Sequence, residues 1–338
     1  EFRRVLFRSR NRSGVSKVMK IRYFIILGML FLFTGCSSVR NVSAGIRIKS
    51  GKEFCTVFGA ADRIRQHSET FSAKAAIALS APTITETDWS DYFEGINGTA
   101  VLYNPLQKNY RIYNQELAET QRSPCSTFKI ISSLISLEYD IIKPEDSVRT
   151  WSGERFWFDA WNKDIDFSEA FCTSCVWYFR EVADEIGKDR MQTELNKLLY
   201  GNCDISDWEG RRNQNNGNPA LTGFWIESSL KISAKEQTEV MERIFGSHTQ
   251  YKEKTRNQLK EVMLLPEQST AACRIYGKTG MGKANGIVID SWFTGFADTA
   301  DGTIYFCVYL GETDNQNVSS QKAREIAVKI INDVIIPL

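Results

Sequence analysis

Apolar positions recur along this chain with two periods. Alternation every second residue marks strands, and recurrence every three to four residues marks helices. Thr99-Ala100-Val101-Leu102-Tyr103 and Tyr110-Arg111-Ile112-Tyr113 read as a strand pair around Asn104-Pro105. Strand patterns return late, at Cys273–Tyr276, Ser291–Phe296 and Thr303–Leu310. Asp301-Gly302 lies between the last two and predicts a hairpin turn. The stretch 125–245 is mostly helical in pattern, broken by loops such as the Asn-rich Gly210–Gly217. An amphipathic helix spans Ser319–Val334. Strands at both ends of a helical middle predict an α+β fold. The two ends join in one antiparallel β-sheet flanked by N- and C-terminal helices, with an inserted helical lobe. The sheet takes 84–124 and 232–338, and the lobe takes 125–231.

The N-terminal segments break this pattern. Residues 1–18 have no apolar period and carry Arg3, Arg4, Arg8, Arg10, Arg12 and Lys17 against Glu1. They read as a non-native or upstream leader. Residues 19–36 then have a short basic start, an apolar stretch Tyr23–Phe33, and Thr34-Gly35-Cys36. This is signal-peptide anatomy, and it is shorter than the roughly 20 residues of a spanning helix. The small residues before Cys36 fit a lipoprotein cleavage site, with Phe33 where leucine is usual. Cys36 is therefore a candidate lipidated residue and membrane tether. An ordinary secretory signal or an uncleaved anchor is the alternative. Residues 37–83 read as a polar tether with one helix near Ala60–Leu79.

Composition sharpens the picture in two places. The formal net charge is +1. The basic leader and Lys20 and Arg22 hide an acidic remainder, which gives no electrostatic case for nucleic acid. Eight cysteines in 338 residues are too sparse for a disulfide scaffold. Cys172-Thr173-Ser174-Cys175 is formally a CxxC, but no thioredoxin-like βαβ pattern surrounds it. His67 and His248 are the only histidines and neither is near it, which argues against zinc.

The candidate chemistry starts at Pro124-Cys125-Ser126-Thr127-Phe128-Lys129, which opens an apolar run. On a helix, Ser126 and Lys129 share one face, as a nucleophile and a possible base. Ser-x-x-Lys also occurs at Ser228–Lys231 and Ser319–Lys322, so one pair alone decides nothing. Lys278-Thr279-Gly280 follows a strand pattern and suits a carboxylate. A phosphate loop is rejected there, because Ala272 stands where its first glycine belongs. Ser174-Cys175-Val176 lies between the two and offers a second hydroxyl.

Ser126-Thr127-Phe128-Lys129, Ser174-Cys175-Val176, Tyr200-Gly201-Asn202, Phe224-Trp225-Ile226-Glu227 and Lys278-Thr279-Gly280 come in one order. As a set, over residues 84–338, they resemble the class D (oxacillinase-type) serine β-lactamases. Val176 replaces the asparagine of the class A Ser-x-Asn motif, and no class A Glu-x-x-Leu-Asn segment is present. The resemblance implies a serine β-lactamase/transpeptidase-like fold and hydrolysis of β-lactams through an acyl-enzyme on Ser126. It implies Lys129 as an N-carboxylated general base, with carbon dioxide or bicarbonate as the source of the carbamate and no other cofactor. An apolar surround of Val176, Phe128 and Trp225 would desolvate Lys129 and favour its neutral amine. Trp225 would hydrogen-bond the carbamate. Ser174 would relay a proton. The backbone N–H groups of Ser126 and Met281 would form the oxyanion hole. Lys278, Thr279 and Gly280, with Val176 and Ile226, would bind substrate.

Arg324 is a candidate partner for the substrate carboxylate; a solvated helix arginine is the equal alternative. Tyr200-Gly201-Asn202 has no assigned chemistry beyond shaping the site. The partners implied are β-lactam small molecules, and a monomer or a homodimer fits equally. The implied location is the periplasm of a Gram-negative bacterium. The rival reading is a penicillin sensor that is acylated without turnover. The single short apolar segment and the lack of a His-Glu-x-x-His motif favour the hydrolase. Having two histidines excludes a metallo-β-lactamase, and no Gly-x-Ser-x-Gly supports a Ser-His-Asp hydrolase.

Overall fold

Two-residue alternation of burial along the strands divides the molecule into two cores. The computed structural model describes residues 81–213, 217–312 and 318–335. The leader, the signal segment with Cys36, and the helix expected near residues 60–79 lie outside the described residues. Six strands form one sheet: β1 (Thr83–Glu86), β2 (Gly98–Asn104), β3 (Asn109–Tyr113), β4 (Cys273–Ala284), β5 (Ile287–Thr299) and β6 (Gly302–Gly311). Their order across the sheet is β1-β3-β2-β6-β5-β4. The β2–β6 pairing joins an early strand to a late one, with Val101 opposite Cys307.

On one face, Val101, Trp292, Phe296, Tyr305, Cys307 and Tyr309 enter the larger core. On the other, Ala100, Leu102, Phe293, Phe306, Val308 and Leu310 enter a smaller one. A strand turns successive side chains to opposite faces, so each strand feeds both. The β5–β6 hairpin turns at Gly302, whose φ of +121° is closed to side-chain-bearing residues.

The helices are α1 (Ser90–Phe93), α2 (Gln115–Glu119), α3 (Lys129–Glu138), α4 (Phe167–Cys172), α5 (Val176–Ile186), α6 (Lys188–Leu198), α7 (Ala234–Phe245), α8 (Glu253–Met263) and α9 (Ser320–Ile335). The C-terminal α9 packs on β4, β5 and β6 and touches α1, closing the smaller core. On the opposite face α7 lies across β2, β5 and β6. A reciprocal cap starts α7: Ser233 Oγ accepts from Glu236 N–H, and the Glu236 carboxylate accepts from Ser233 N–H. Among the described residues no helix is long and apolar enough to cross a membrane.

The α+β expectation holds, with three differences. β1 pairs parallel to β3, so the sheet is mixed rather than antiparallel throughout. β4 is three times the length read from Cys273–Tyr276, and it carries Lys278-Thr279-Gly280 inside it. The lobe is helical only in part. Large aromatics such as Phe156 and Phe224 are buried from irregular backbone.

Candidate active site

The turn holding Ser126 is built from three directions. Pro124 leads into a 3-10 turn, Cys125–Phe128, that runs directly into α3 at Lys129. Cys125 sits at φ +49°, a left-handed conformation that costs a non-glycine residue about 1–3 kcal/mol. Its N–H donates to the Trp225 carbonyl at 2.9 Å. Thr127 Oγ1 donates to the Pro124 carbonyl (2.7 Å) and accepts from Gln237 Nε2 of α7 (2.8 Å). The result is a half-exposed Ser126 over a buried Lys129, with Lys129 Nζ 2.9 Å from Ser126 Oγ.

Lys129 is 1% exposed. Burial pushes its amine down to about 7, and the nearby Lys278 charge adds to the shift. The apolar surround is real, but its composition differs from the expectation. The Phe179 ring, one turn along α5 from Val176, lies 5.5 Å from Nζ. Phe128 and Trp225 are fully buried and stacked at 5.7 Å, whereas Val176 is half-buried at the edge of the core. Phe179 was not singled out in the sequence; its three-residue spacing from Val176 is the signal that marks it.

Trp225 contributes an unusual polar atom. Its indole Nε1 is buried with no hydrogen-bond partner among the described residues. A buried donor left unpaired costs about 1–3 kcal/mol, so an acceptor is expected there. Trp225 stacks on Phe128, the residue before Lys129, and its N–H would suit an anionic acceptor such as a lysine carbamate.

The substrate-facing side comes from β4. Strand alternation turns Tyr276 and Lys278 toward the lobe. Lys278 Nζ lies 3.1 Å from Ser174 Oγ and 3.2 Å from the Thr279 carbonyl, with the Phe171 ring at 5.7 Å. Burial lowers the Lys278 amine to about 8, opposed by Cys172 and reinforced by Arg324. Ser174 holds φ +59° just before α5, the second strained residue beside the site. Gly280 lets β4 approach the nucleophile turn. A Cβ there would meet the Pro124 carbonyl at 2.9 Å and Thr127 Cγ2 at 3.0 Å. Met281 follows, 38% exposed.

Arg324 of α9 is placed with this side. It lines a cavity of about 120 Å3 with Lys278, Thr279, Phe171 and Cys172, while its guanidinium donates to Gln321 Oε1. Ile226 packs against the larger core, beside Trp225 in sequence. Cys172 is exposed and Cys175 buried; both thiols are free. The other two Ser-x-x-Lys pairs are structural. Ser228 Oγ donates to Asp207, and Ser319 Oγ accepts from the Lys322 N–H at the start of α9. Tyr200 packs edge-on against Phe128, which gives its segment a place under the nucleophile turn.

Residues 98–332 match the penicillin-binding protein transpeptidase domain. The chain is 32% identical over 257 residues to the regulatory protein BlaR1 of Bacillus licheniformis, covering 75% of this chain and 40% of BlaR1. The match thus spans well under half of that relative's length. It is 33% identical over 260 residues to the β-lactamase OXA-1 of Escherichia coli, covering 75% of this chain and 91% of OXA-1. A solved structure, the C-terminal domain of the Bacillus licheniformis BlaR penicillin-receptor, superposes with a TM-score of 0.66 at 30% identity. That superposition covers 77% of this chain and all of that domain.

Proposed function

The chain belongs to the penicillin-binding protein transpeptidase-domain family, and within it we propose that this protein is a class D serine β-lactamase. The observation that carries this reading is the buried Lys129 amine, 2.9 Å from Ser126 Oγ and near neutrality, with an unpartnered Trp225 N–H beside Phe128. When carboxylated by carbon dioxide, Lys129 supplies a general base in both half-reactions. Ser126 Oγ loses its proton to the residue-129 side chain and attacks the β-lactam carbonyl carbon. The backbone N–H groups of Ser126 and Met281 receive the oxyanion. The ring C–N bond breaks, and Ser174 passes a proton to the departing nitrogen. Lys278, with Thr279 and Arg324, holds the substrate carboxylate. Water, deprotonated from the residue-129 side, then releases the acyl group and restores Ser126. The domain works outside the cytoplasm, delivered by the 19–36 segment and tethered where Cys36 is lipidated.

A second reading keeps the acylation and drops the turnover: a penicillin receptor. The complete coverage of the BlaR receptor domain favours it. Intact-mass spectrometry after one equivalent of benzylpenicillin separates the two. The lactamase reading expects a transient adduct on Ser126 that returns to the parent mass. An adduct persisting for hours supports the receptor.

A further inference from the structure

The segment following Trp225 bonds to both halves of the site at once. Glu227 ends it in a left-handed conformation, φ +49°. Its N–H donates to Ser123 Oγ at 2.7 Å, and Ser123 Oγ donates to the Trp225 carbonyl at 3.2 Å. The same carbonyl accepts the Cys125 N–H. Trp225 and Glu227 thereby grip the residues that lead into Ser126. On the far side, Glu227 Oε1 accepts the backbone N–H of Lys283 at 2.5 Å.

That amide is free to be taken because the β4–β5 ladder slips there. Gly282 pairs with Asp290, Lys283 pairs with Val288, and the register shifts between Gly282 and Lys283. Three groups converge on the bare backbone of Gly282. A Cβ there would lie 2.9 Å from Cys125 Sγ, 3.1 Å from Glu227 Oε1 and 3.3 Å from Asp290 Oδ2. Asp290 is itself anchored by the Tyr309 hydroxyl at 2.8 Å. The Ser126 turn and the end of β4 are thus clamped together one to two residues past Met281, at Gly282 and Lys283.

We propose that Glu227 is a positioning residue: by clamping the Ser126 turn to the β4 bulge, it sets the separation of the two oxyanion donors. This rests on the assignment of the Ser126 and Met281 N–H groups as those donors. Such donors must lie about 2.7–3.1 Å from the oxyanion, and a displacement of about 1 Å costs on the order of a hundredfold in rate.

The test is stopped-flow acylation by benzylpenicillin, resolved into the acylation rate constant and the non-covalent Ks. Glu227→Ala should slow acylation about ten- to hundredfold while Ks stays within about twofold, the signature of an interaction made in the transition state. Glu227→Gln keeps an Oε1 acceptor and should stay within about threefold of the parent. If Glu227→Ala fails to fold, Gly282→Ala drives a methyl against the same oxygen and should slow acylation likewise. A parental acylation rate in the folded variant, a loss confined to Ks, or a Gln variant as slow as Ala would overturn the proposal. Acylation does not require turnover. A parent that acylates without hydrolysing defeats only the lactamase reading, whereas a parent that is never acylated defeats both.

Discussion

Lys129 is where burial becomes chemistry. Its amine is lowered to about 7, so protonation as pH falls below that value removes the neutral amine that the proposed carbamate requires. Lys278, lowered to about 8, loses its charge as pH rises past that value and with it the grip on a carboxylate. kcat/KM should therefore be bell-shaped, rising through about 7 and falling through about 8, with the alkaline fall carried by KM. A flat profile between pH 6 and 9 would contradict both assignments. Trp225→Phe keeps an aromatic ring beside Phe128 but removes the indole N–H together with the rest of the bicyclic ring. A hydrogen bond to a charged group is worth about 1.5–3 kcal/mol, so half-maximal activity should need roughly ten- to hundredfold more bicarbonate. A titration of activity against bicarbonate checks this.

Ser126 and Lys129 were legible because they are neighbours on one turn. The Phe179 ring and the orphaned Trp225 nitrogen were not. They reach the site across the fold, from segments far from Lys129 in sequence.

At the scale of elements, the approach of β4 to the nucleophile turn rests on Gly280. Gly280→Ala places a methyl 2.9 Å from a carbonyl oxygen of rigid backbone, overpacking that costs about 1–3 kcal/mol. Denaturant unfolding should show that loss, together with slower acylation. The cap of α7 tests an element that braces the Ser126 turn through Gln237: Ser233→Ala should cost about 1 kcal/mol in unfolding.

Long strands with two-faced burial were legible, and so was the β5–β6 hairpin. β1 was not, since Thr83–Glu86 are all exposed and carry no alternation. The far half of β4 was missed because Gly277, Gly280 and Gly282 interrupt its apolar signal.

At the scale of the molecule, the site is a seam. The lobe contributes Lys129, Ser174 and Phe179, and the sheet contributes Lys278 and Met281. The joining of early and late strands in one sheet brings these together, with Val101 beside Cys307 and β4 at the edge. The sequence motifs announced that seam only as a set. Their spacing carried no information about which groups would touch.

Lys129 is proposed to sustain repeated β-lactam hydrolysis rather than a single acylation. The most direct test follows penicillin absorbance with catalytic amounts of protein, before and after removal of bicarbonate. Many turnovers per molecule are expected, lost on depletion, restored by adding bicarbonate back, and absent in Lys129→Ala. A single stoichiometric burst, or turnover indifferent to both bicarbonate and Lys129, would contradict it.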